Sequence, residues 1–238
     1  MSNSLIMRAR RPPVRPSFDP QVQPWQSADS GLARVGPQAL TPEALRRSLL
    51  PARQWLLDPL GRNEVRYPER EGALVMAAVL IPMVMRAQGV SVMLTQRAAH
   101  LHDHAGQISF PGGRVEQEDV SPVATALREA QEETGLPQDS VEVLNSMPEY
   151  VTATGYAITP VVSLVRPGFS LAPDAGEVAD VFEVPLSFLM DPANHRLYEA
   201  RLANGQVRQY YAMAWENRFI WGATAGMLRN LYKSLAMP

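Results

Sequence analysis

Three glutamates, Glu129, Glu132 and Glu133, recur at spacings that bring them together on one helix. At about 100° per residue they fall in one arc. The opposite arc holds Val123, Leu127, Ala130 and Thr134. Carboxylates this close raise one another's pKa unless a cation neutralises them. Hard oxygen ligands favour Mg²⁺ or Mn²⁺, which also coordinate substrate phosphates. The pattern therefore indicates a divalent metal site, and its alternative is a solvated acidic helix face.

The helix that must position these carboxylates is marked at both ends. Ser121 is a typical N-cap, Pro122 suits the first helical position, and Gly135 follows the last turn. Just upstream, Gly112 and Gly113 form a loop whose bare backbone could approach a metal ion or a phosphate. A simple tight turn needs the same residues, so both interpretations stay open.

The residues of this helix carry a family resemblance. Residues 128–136, Arg128-Glu129-Ala130-Gln131-Glu132-Glu133-Thr134-Gly135-Leu136, resemble the second half of the Nudix box, the signature of hydrolases that cleave a nucleoside diphosphate linked to another group. Counting from Gly113, the acid Asp119 arrives where the box expects it, and Arg128 arrives one residue late. The late arginine is similar to that of the coenzyme A diphosphatase branch.

Other segments resemble the same branch. Leu94–Arg97 and His104–Gly113 are similar to its extra motif upstream of the box. Downstream similarity is found in Pro148–Tyr150, Thr154–Tyr156, Thr159–Val162 and Trp221–Ala225. The likeness thus covers roughly residues 72–236. It implies an α/β protein, a Nudix-type α/β/α sandwich with a mixed sheet, which the order of the predicted elements also favours.

The resemblance further implies roles for individual residues. Glu129, Glu132 and Glu133 would hold one or more Mg²⁺ or Mn²⁺ ions, and Arg128 would orient a glutamate through an ion pair. The metal would shield phosphate charge and activate a water. The general base would be Glu132 or Glu133, with Glu177 as a further candidate.

The candidate substrate contacts are Arg97, Gly112, Gly113 and Arg114. The arginines are candidates because a guanidinium suits phosphate geometry, and the glycines because their backbone could approach a phosphate. For the arginines, surface ion pairs are the alternative. Tyr150 and Tyr156 could stack on an adenine or pack against their own domain. We expect hydrolysis of coenzyme A or acyl-coenzyme A to 3′,5′-ADP and (acyl-)4′-phosphopantetheine. The alternatives are a Nudix hydrolase of ADP-ribose or another nucleoside diphosphate derivative, and a non-catalytic nucleotide-sensing module. Retention of all three glutamates weighs against the last.

Composition narrows the function classes. The 238 residues are 46% hydrophobic and 19% charged, with a net charge of −2 and no cysteine. Nothing suggests an obligatory nucleic-acid partner, and disulfides, thiol catalysis and cysteine-ligated zinc are excluded. The richest apolar run, residues 73–85, contains Pro82 and is better interpreted as a buried strand than a membrane span. We expect a cytoplasmic protein with no membrane partner.

The chain divides into three parts. Residues 1–40 are rich in Pro, Arg and Ser and are expected to be weakly ordered or draped over the surface. Residues 41–70 form a helical extension beginning at Thr41, whose stripe of Leu45, Leu49 and Leu50 could pack on the core or on a second subunit of a homodimer. Residues 71–238 form the catalytic domain.

Strands are predicted within this domain at residues 73–85, 90–97, 141–147, 157–165, 196–202, 207–213 and 218–221. Residues 196–202 are predicted to pair with residues 207–213 across the turn Asn204-Gly205. Helices are predicted at 185–191 and at the C-terminus, where the stripe is Met227, Leu228, Leu231 and Leu235. An acidic loop is predicted around Glu177 and Asp180, from which a carboxylate could reach the metal. The alternating His100, His102 and His104 could form a second metal site, although no strand pattern surrounds them.

Overall fold

A computed structural model describes residues 18–29, 31–50, 54–61, 66–67, 72–101, 104–202 and 205–236. In chain order the strands and α-helices are β1 (Trp25–Ser27), α1 (Pro42–Ser48), β2 (Val75–Arg86), β3 (Gly89–Arg97), β4 (Ile108–Ser109), β5 (Gly112–Arg114), α2 (Pro122–Thr134), β6 (Val141–Ser146), β7 (Tyr150–Val151), β8 (Tyr156–Val165), β9 (Val178–Pro185), α3 (Leu186–Leu189), β10 (Arg196–Arg201), β11 (Val207–Trp215), β12 (Arg218–Trp221) and α4 (Ala223–Leu235). The predicted strands and helices are therefore confirmed to within a few residues at their ends.

A mixed sheet of eight strands forms the centre of the molecule. Its only parallel ladder within the described residues joins β2 to β8, from Val75 opposite Tyr156 to Val84 opposite Val165. The strands β3 and β5 run antiparallel to β2, and β6 and β7 run antiparallel to β8. A second, antiparallel sheet has the order β1-β10-β11-β12. The predicted pairing of residues 196–202 with 207–213 is confirmed; Asn204 of the predicted turn lies outside the described residues.

Helices cover both faces of the central sheet. Alternate residues of β2 point to opposite faces, so Leu80 joins a cluster with Ala126 and Ala130 of α2, whereas Ile81 joins a cluster with Leu228 of α4. The second cluster also includes residues of α1 and α3. Burial on both faces explains why β2 is a nearly continuous apolar run. The expected α/β/α sandwich with a mixed sheet is confirmed.

The described part of residues 1–40 packs onto the domain. Trp25–Ser27 pairs with β10 as an edge strand, and the side chains of Ala28 and Val35 are buried. The arginine-rich stretch 1–17 lies outside the described residues. In α1, Leu45 and Leu49 are buried in the core of this same chain, whereas Leu50 is exposed. Of the two predicted packing partners for this helix, the structure shows the core.

A buried polar network anchors α4, which was predicted only as an apolar stripe. Arg229 donates to Asp58, to Nδ1 of His195 and to the carbonyl oxygen of Ala28. Nε2 of His195 donates to the carbonyl oxygen of Leu189, so the second ring nitrogen is the acceptor. Burial lowers the pKa of His195 to about 4, which keeps the ring neutral. These bonds fix α4, whose first residues line a cleft beside Glu129 and Glu133.

Within the described part of the chain, no helix is long and apolar enough to cross a membrane.

Candidate active site

The helix α2 has the predicted ends. The hydroxyl oxygen of Ser121 accepts a hydrogen bond from the N–H of Ala124, and Pro122 is the first helical residue. Gly135 closes the helix with φ 74°, a left-handed conformation that favours glycine. Both caps are local signals, so the helix boundaries could be predicted from the sequence.

The burial of the three glutamates differs from the prediction. Their side chains are 5% exposed for Glu133, 16% for Glu129 and 60% for Glu132. The helix turns its Ala126 and Ala130 side fully toward the sheet, and Glu133 lies at the border of that side. The expectation that all three carboxylates lie on a face opposite the packed one is therefore wrong for Glu133. Tertiary packing places the glutamates at three depths.

The two glycines of β5, Gly112 and Gly113, lie against the carboxylates of Glu133 and Glu129. The N–H of Gly112 donates to Oε2 of Glu133 over 3.1 Å. A Cβ atom on Gly113 would lie 2.3 Å from the carboxylate of Glu129, and one on Gly112 would lie 2.4 Å from the carbonyl oxygen of Ala78. A side chain at either position would displace the backbone or a glutamate. Both glycines also line the cleft, where they were predicted to approach a ligand.

Arg128 is the centre of an ion-pair network. It bonds Asp119 through two nitrogens, at 3.1 and 2.9 Å, and its Nη1 lies 3.0 Å from both Glu129 and Glu132. The guanidinium holds the pKa of Asp119 well below its usual range. Asp119 was noted in the sequence for its place in the motif, and its role as the partner of Arg128 emerges only in three dimensions.

The two arginines predicted to contact phosphate have partners within the cleft. Arg97 Nη1 lies 3.5 Å from Oε1 of Glu133, and the buried Nε of Arg97 meets no hydrogen-bond acceptor among the described residues. Arg114 donates to the hydroxyl of Tyr156 over 2.8 Å and lies over its ring, 5.6 Å from the centroid. The ion pair of Arg97 is thus made with a site glutamate and not with a distant surface acid.

Two glutamates of the cleft have raised pKa values. Burial raises the pKa of Glu133 to about 7, against the lowering effects of the Gly112 N–H and Arg97. Burial also raises the pKa of Glu129, and the charges of neighbouring glutamates, including Glu177, add to both shifts. Carboxylates in this condition are chemically suited to a hard divalent cation.

The predicted metal-binding side chains are not already arranged around a common point, however. Within the described ranges, no group of three or more Asp, Glu or His side chains is already arranged to hold a metal ion. The reason is visible at Arg128, which engages both Glu129 and Glu132. The donor set fits Mg²⁺ or Mn²⁺, and a bound ion would compete with Arg128 for these two carboxylates.

The predicted histidine alternative is not assembled in the described residues. His100 Nε2 bonds the carbonyl oxygen of Gly176, and Nδ1 of His104 lies 2.9 Å from Oε1 of Gln107. His102 lies outside the described residues. His100 and His104 therefore shape loops, and His104 also lines the cleft.

A cleft of about 510 Å³ connects these groups. Glu129, Glu133 and Glu177 line it, together with Arg97, Arg114 and Tyr156. Asp180, predicted to lie in a loop with Glu177, belongs instead to β9 and pairs with Arg218. Tyr150 is buried against Gly226 of α4, so of its two predicted roles the structure shows packing.

Two further residues that line the cleft, Tyr67 and Arg208, were not predicted from the sequence. They belong to no motif and lie far apart in the chain. Only the arrangement of the two sheets brings them together, with the guanidinium carbon of Arg208 4.8 Å from the ring centroid of Tyr67.

Comparison with known proteins identifies relatives. The NUDIX domain family matches residues 75–202. The "Uncharacterized Nudix hydrolase NudL" of Citrobacter koseri is 41% identical over 177 residues, which cover 73% of this chain and 91% of that protein. The protein of the same name from Escherichia coli K12 is 41% identical over 155 residues, covering 65% and 80%. Among solved structures, a MutT/nudix family protein from Enterococcus faecalis aligns with a TM-score of 0.42 at 18% identity, covering 71% of this chain and 63% of that one.

Proposed function

The chain belongs to the Nudix hydrolase family, and we propose that it hydrolyses the pyrophosphate of coenzyme A or an acyl-coenzyme A, releasing 3′,5′-ADP and 4′-phosphopantetheine or its acyl form. One observation carries the choice of substrate. The segments that resemble the upstream motif of the coenzyme A diphosphatase branch lie against the glutamates. Their members Arg97, His104, Gln107, Phe110, Gly112 and Gly113 all line the cleft. The feature that separates this branch from other Nudix hydrolases is therefore part of the candidate substrate site.

The glutamates would hold the metal. Glu129 and Glu133 line the cleft, and Glu132 is one helical turn from Arg128 on the exposed side of α2. When bound, Mg²⁺ or Mn²⁺ supplies charge shielding of the pyrophosphate and a lowered pKa of the attacking water. Arg128 is a positioning residue, because it bonds Asp119, the glutamates and the carbonyl oxygen of Arg114.

A carboxylate must accept the proton of the attacking water. Glu133 and Glu177 line the cleft, whereas Glu132 reaches it only by turning from Arg128. We place the base among these three. Single Glu→Gln variants distinguish them, because loss of the base abolishes the acid limb of the pH–rate profile, whereas loss of a metal ligand raises the metal concentration needed for half-maximal rate.

Arg97 and Arg114 are the proposed pyrophosphate contacts. Both line the cleft that Glu129 and Glu133 also line, and Arg97 forms an ion pair with Glu133. Their guanidinium groups would bind phosphoryl oxygens, since a guanidinium binds phosphate through paired N–H donors.

Product analysis tests the proposal. The purified protein is incubated with Mg²⁺ or Mn²⁺ and, in parallel, coenzyme A, acetyl-coenzyme A, ADP-ribose and a nucleoside triphosphate, and the products are separated by chromatography. Efficient release of 3′,5′-ADP in the coenzyme A reactions alone is the expected result. Preferential cleavage of ADP-ribose would support the glutamates as the hydrolytic site and would reject coenzyme A as the substrate. No turnover with either metal would favour a nucleotide-sensing module.

A further inference from the structure

One arginine that lines the cleft, Arg208, has no role in the proposed hydrolysis. Arg208 lies at the start of β11, half-buried, with its guanidinium carbon 4.8 Å from the ring centroid of Tyr67. The backbone N–H of Tyr67 donates to the carbonyl oxygen of Ala153 over 3.0 Å, which ties the tyrosine to the loop between β7 and β8. Both side chains line the cleft, as do Thr152 and Thr154 of that loop.

This cation belongs to a different wall from the glutamates. Arg97 and Arg114 lie on β3 and β5 of the central sheet, where the first pairs with Glu133 and the second with Tyr156. Arg208 comes from the four-stranded sheet. The pyrophosphate must lie at the glutamates to be hydrolysed. A cation on the other sheet is therefore placed for a different anionic group of the same ligand.

The stacked geometry suits phosphate. An arginine held over an aromatic ring keeps its N–H donors in the plane of the guanidinium, where two of them match two phosphate oxygens. A lysine would supply only a point charge. The ring holds the guanidinium in place, so less conformational entropy is lost when the anion binds.

We propose that Arg208, stacked on Tyr67, binds the phosphate on the ribose of a 3′-phosphorylated adenosine, and so selects coenzyme A derivatives over nucleoside diphosphate compounds that lack this third phosphate. The inference rests on the proposed function for its choice of ligand. It assigns substrate selection to the four-stranded sheet and hydrolysis to the central sheet and α2.

The test compares two substrates that differ only in this phosphate. Values of kcat/KM are measured for coenzyme A and 3′-dephospho-coenzyme A with wild type, Arg208→Gln and Arg208→Lys. The matched control is Arg196→Gln, since Arg196 lies on the same sheet, stacks on Trp25 at 4.3 Å, and is not among the cleft-lining residues. In Arg208→Gln the ratio of the two kcat/KM values should fall about tenfold to a hundredfold, chiefly through KM for coenzyme A, as expected for loss of a charge-assisted hydrogen bond. Arg208→Lys should recover part of the ratio, and the control should keep the wild-type ratio.

Two results would overturn the inference: an unaltered ratio in a folded Arg208→Gln protein, or an equal fall for both substrates. Calorimetric binding of 3′,5′-ADP and 5′-AMP gives a readout that does not need turnover. If wild type cleaves neither substrate, the proposed function fails, but a preference for 3′,5′-ADP that disappears in Arg208→Gln still supports the phosphate site. No preference in the wild type rejects the site.

Discussion

Arg128 and Asp119 are joined by two hydrogen bonds, from Nε to Oδ1 over 3.1 Å and from Nη2 to Oδ2 over 2.9 Å. This pairing fixes the plane of the guanidinium and points its third nitrogen at Glu129 and Glu132. The aspartate is itself held by the N–H of Glu116 and the hydroxyl of Thr125. The loop before α2 thus sets the orientation of an arginine that contacts two of the proposed metal ligands.

Replacing Asp119 with Asn should lower the metal-dependent rate about tenfold or more, as is typical when the residue that orients a metal ligand is lost. The neutral amide keeps one acceptor but no longer neutralises Arg128, so the arginine competes more strongly for the glutamates. Steady-state kinetics over a range of Mg²⁺ concentrations measures the effect. Asp139→Asn is the control, because Asp139 is exposed and lies outside the cleft. Equal rates in the two variants would contradict the positioning role of Asp119.

Replacing Glu132 with Gln should leave the fold intact, because this side chain is 60% exposed and forms an ion pair with the neighbouring Arg128 of the same helix. Turnover should fall by about two orders of magnitude, as expected for loss of a metal ligand or base. Circular dichroism and thermal unfolding check the fold, and Glu118→Gln, at an exposed position in the preceding loop, is the control. Near-normal activity of a folded Glu132→Gln protein would reject this glutamate as a site residue.

Replacing Gly113 with Ala should displace the carboxylate of Glu129, because the new methyl group would lie 2.3 Å from it. The expected outcome is weaker Mg²⁺ binding and slower turnover. Gly36→Ala is the matched control, since a Cβ there meets only the end of the Gln38 side chain at 3.7 Å. Isothermal titration with Mg²⁺ alone separates the metal effect from catalysis. Wild-type metal affinity in Gly113→Ala would show that Glu129 does not bind the ion from this position.

The metal-free protein should lose stability as the pH rises from about 4.5 to about 7. Glu133 has a pKa of about 7 in the fold and an ordinary value of 4.5, so between these values the unfolded chain releases the proton and the folded chain keeps it. Below this window both states are protonated and the cost disappears; above it the cost is constant, up to about 3 kcal/mol. Glu133→Gln removes the titration.

Urea unfolding in EDTA at pH 5, 6, 7 and 8 measures this difference. The free energy of unfolding of Glu133→Gln should exceed that of wild type by an amount that grows with pH. Saturating Mg²⁺ should reverse the trend in wild type, because the ion favours the ionised carboxylate. A difference between the two proteins that is independent of pH would show that Glu133 titrates normally.

Signals within a few residues were enough to predict much of this molecule. The caps Ser121 and Gly135, the apolar runs of β2 and β8, and the pairing of β10 with β11 could all be predicted, because each depends on local backbone preferences or on neighbouring segments. The glutamate cluster and its proposed metal chemistry also follow from spacing within one helix. Strand β9 was not predicted, since its residues show no alternation of apolar and polar types, and its strand conformation depends on pairing with the distant β3.

What the sequence by itself determined is therefore the α/β class, the order of the longer strands and helices other than β9, the family and the residues of the acidic helix. Tertiary structure alone decided which glutamate is buried, because the rotation of α2 on the sheet depends on packing against β2 and β5. It also decided that Glu177 rather than Asp180 lines the cleft, that Tyr150 packs inside, and that Arg208 meets Tyr67. Each of these relationships joins residues distant in the chain, and their distance in space is set by sheet register and by the contact of two sheets, which no short sequence window contains.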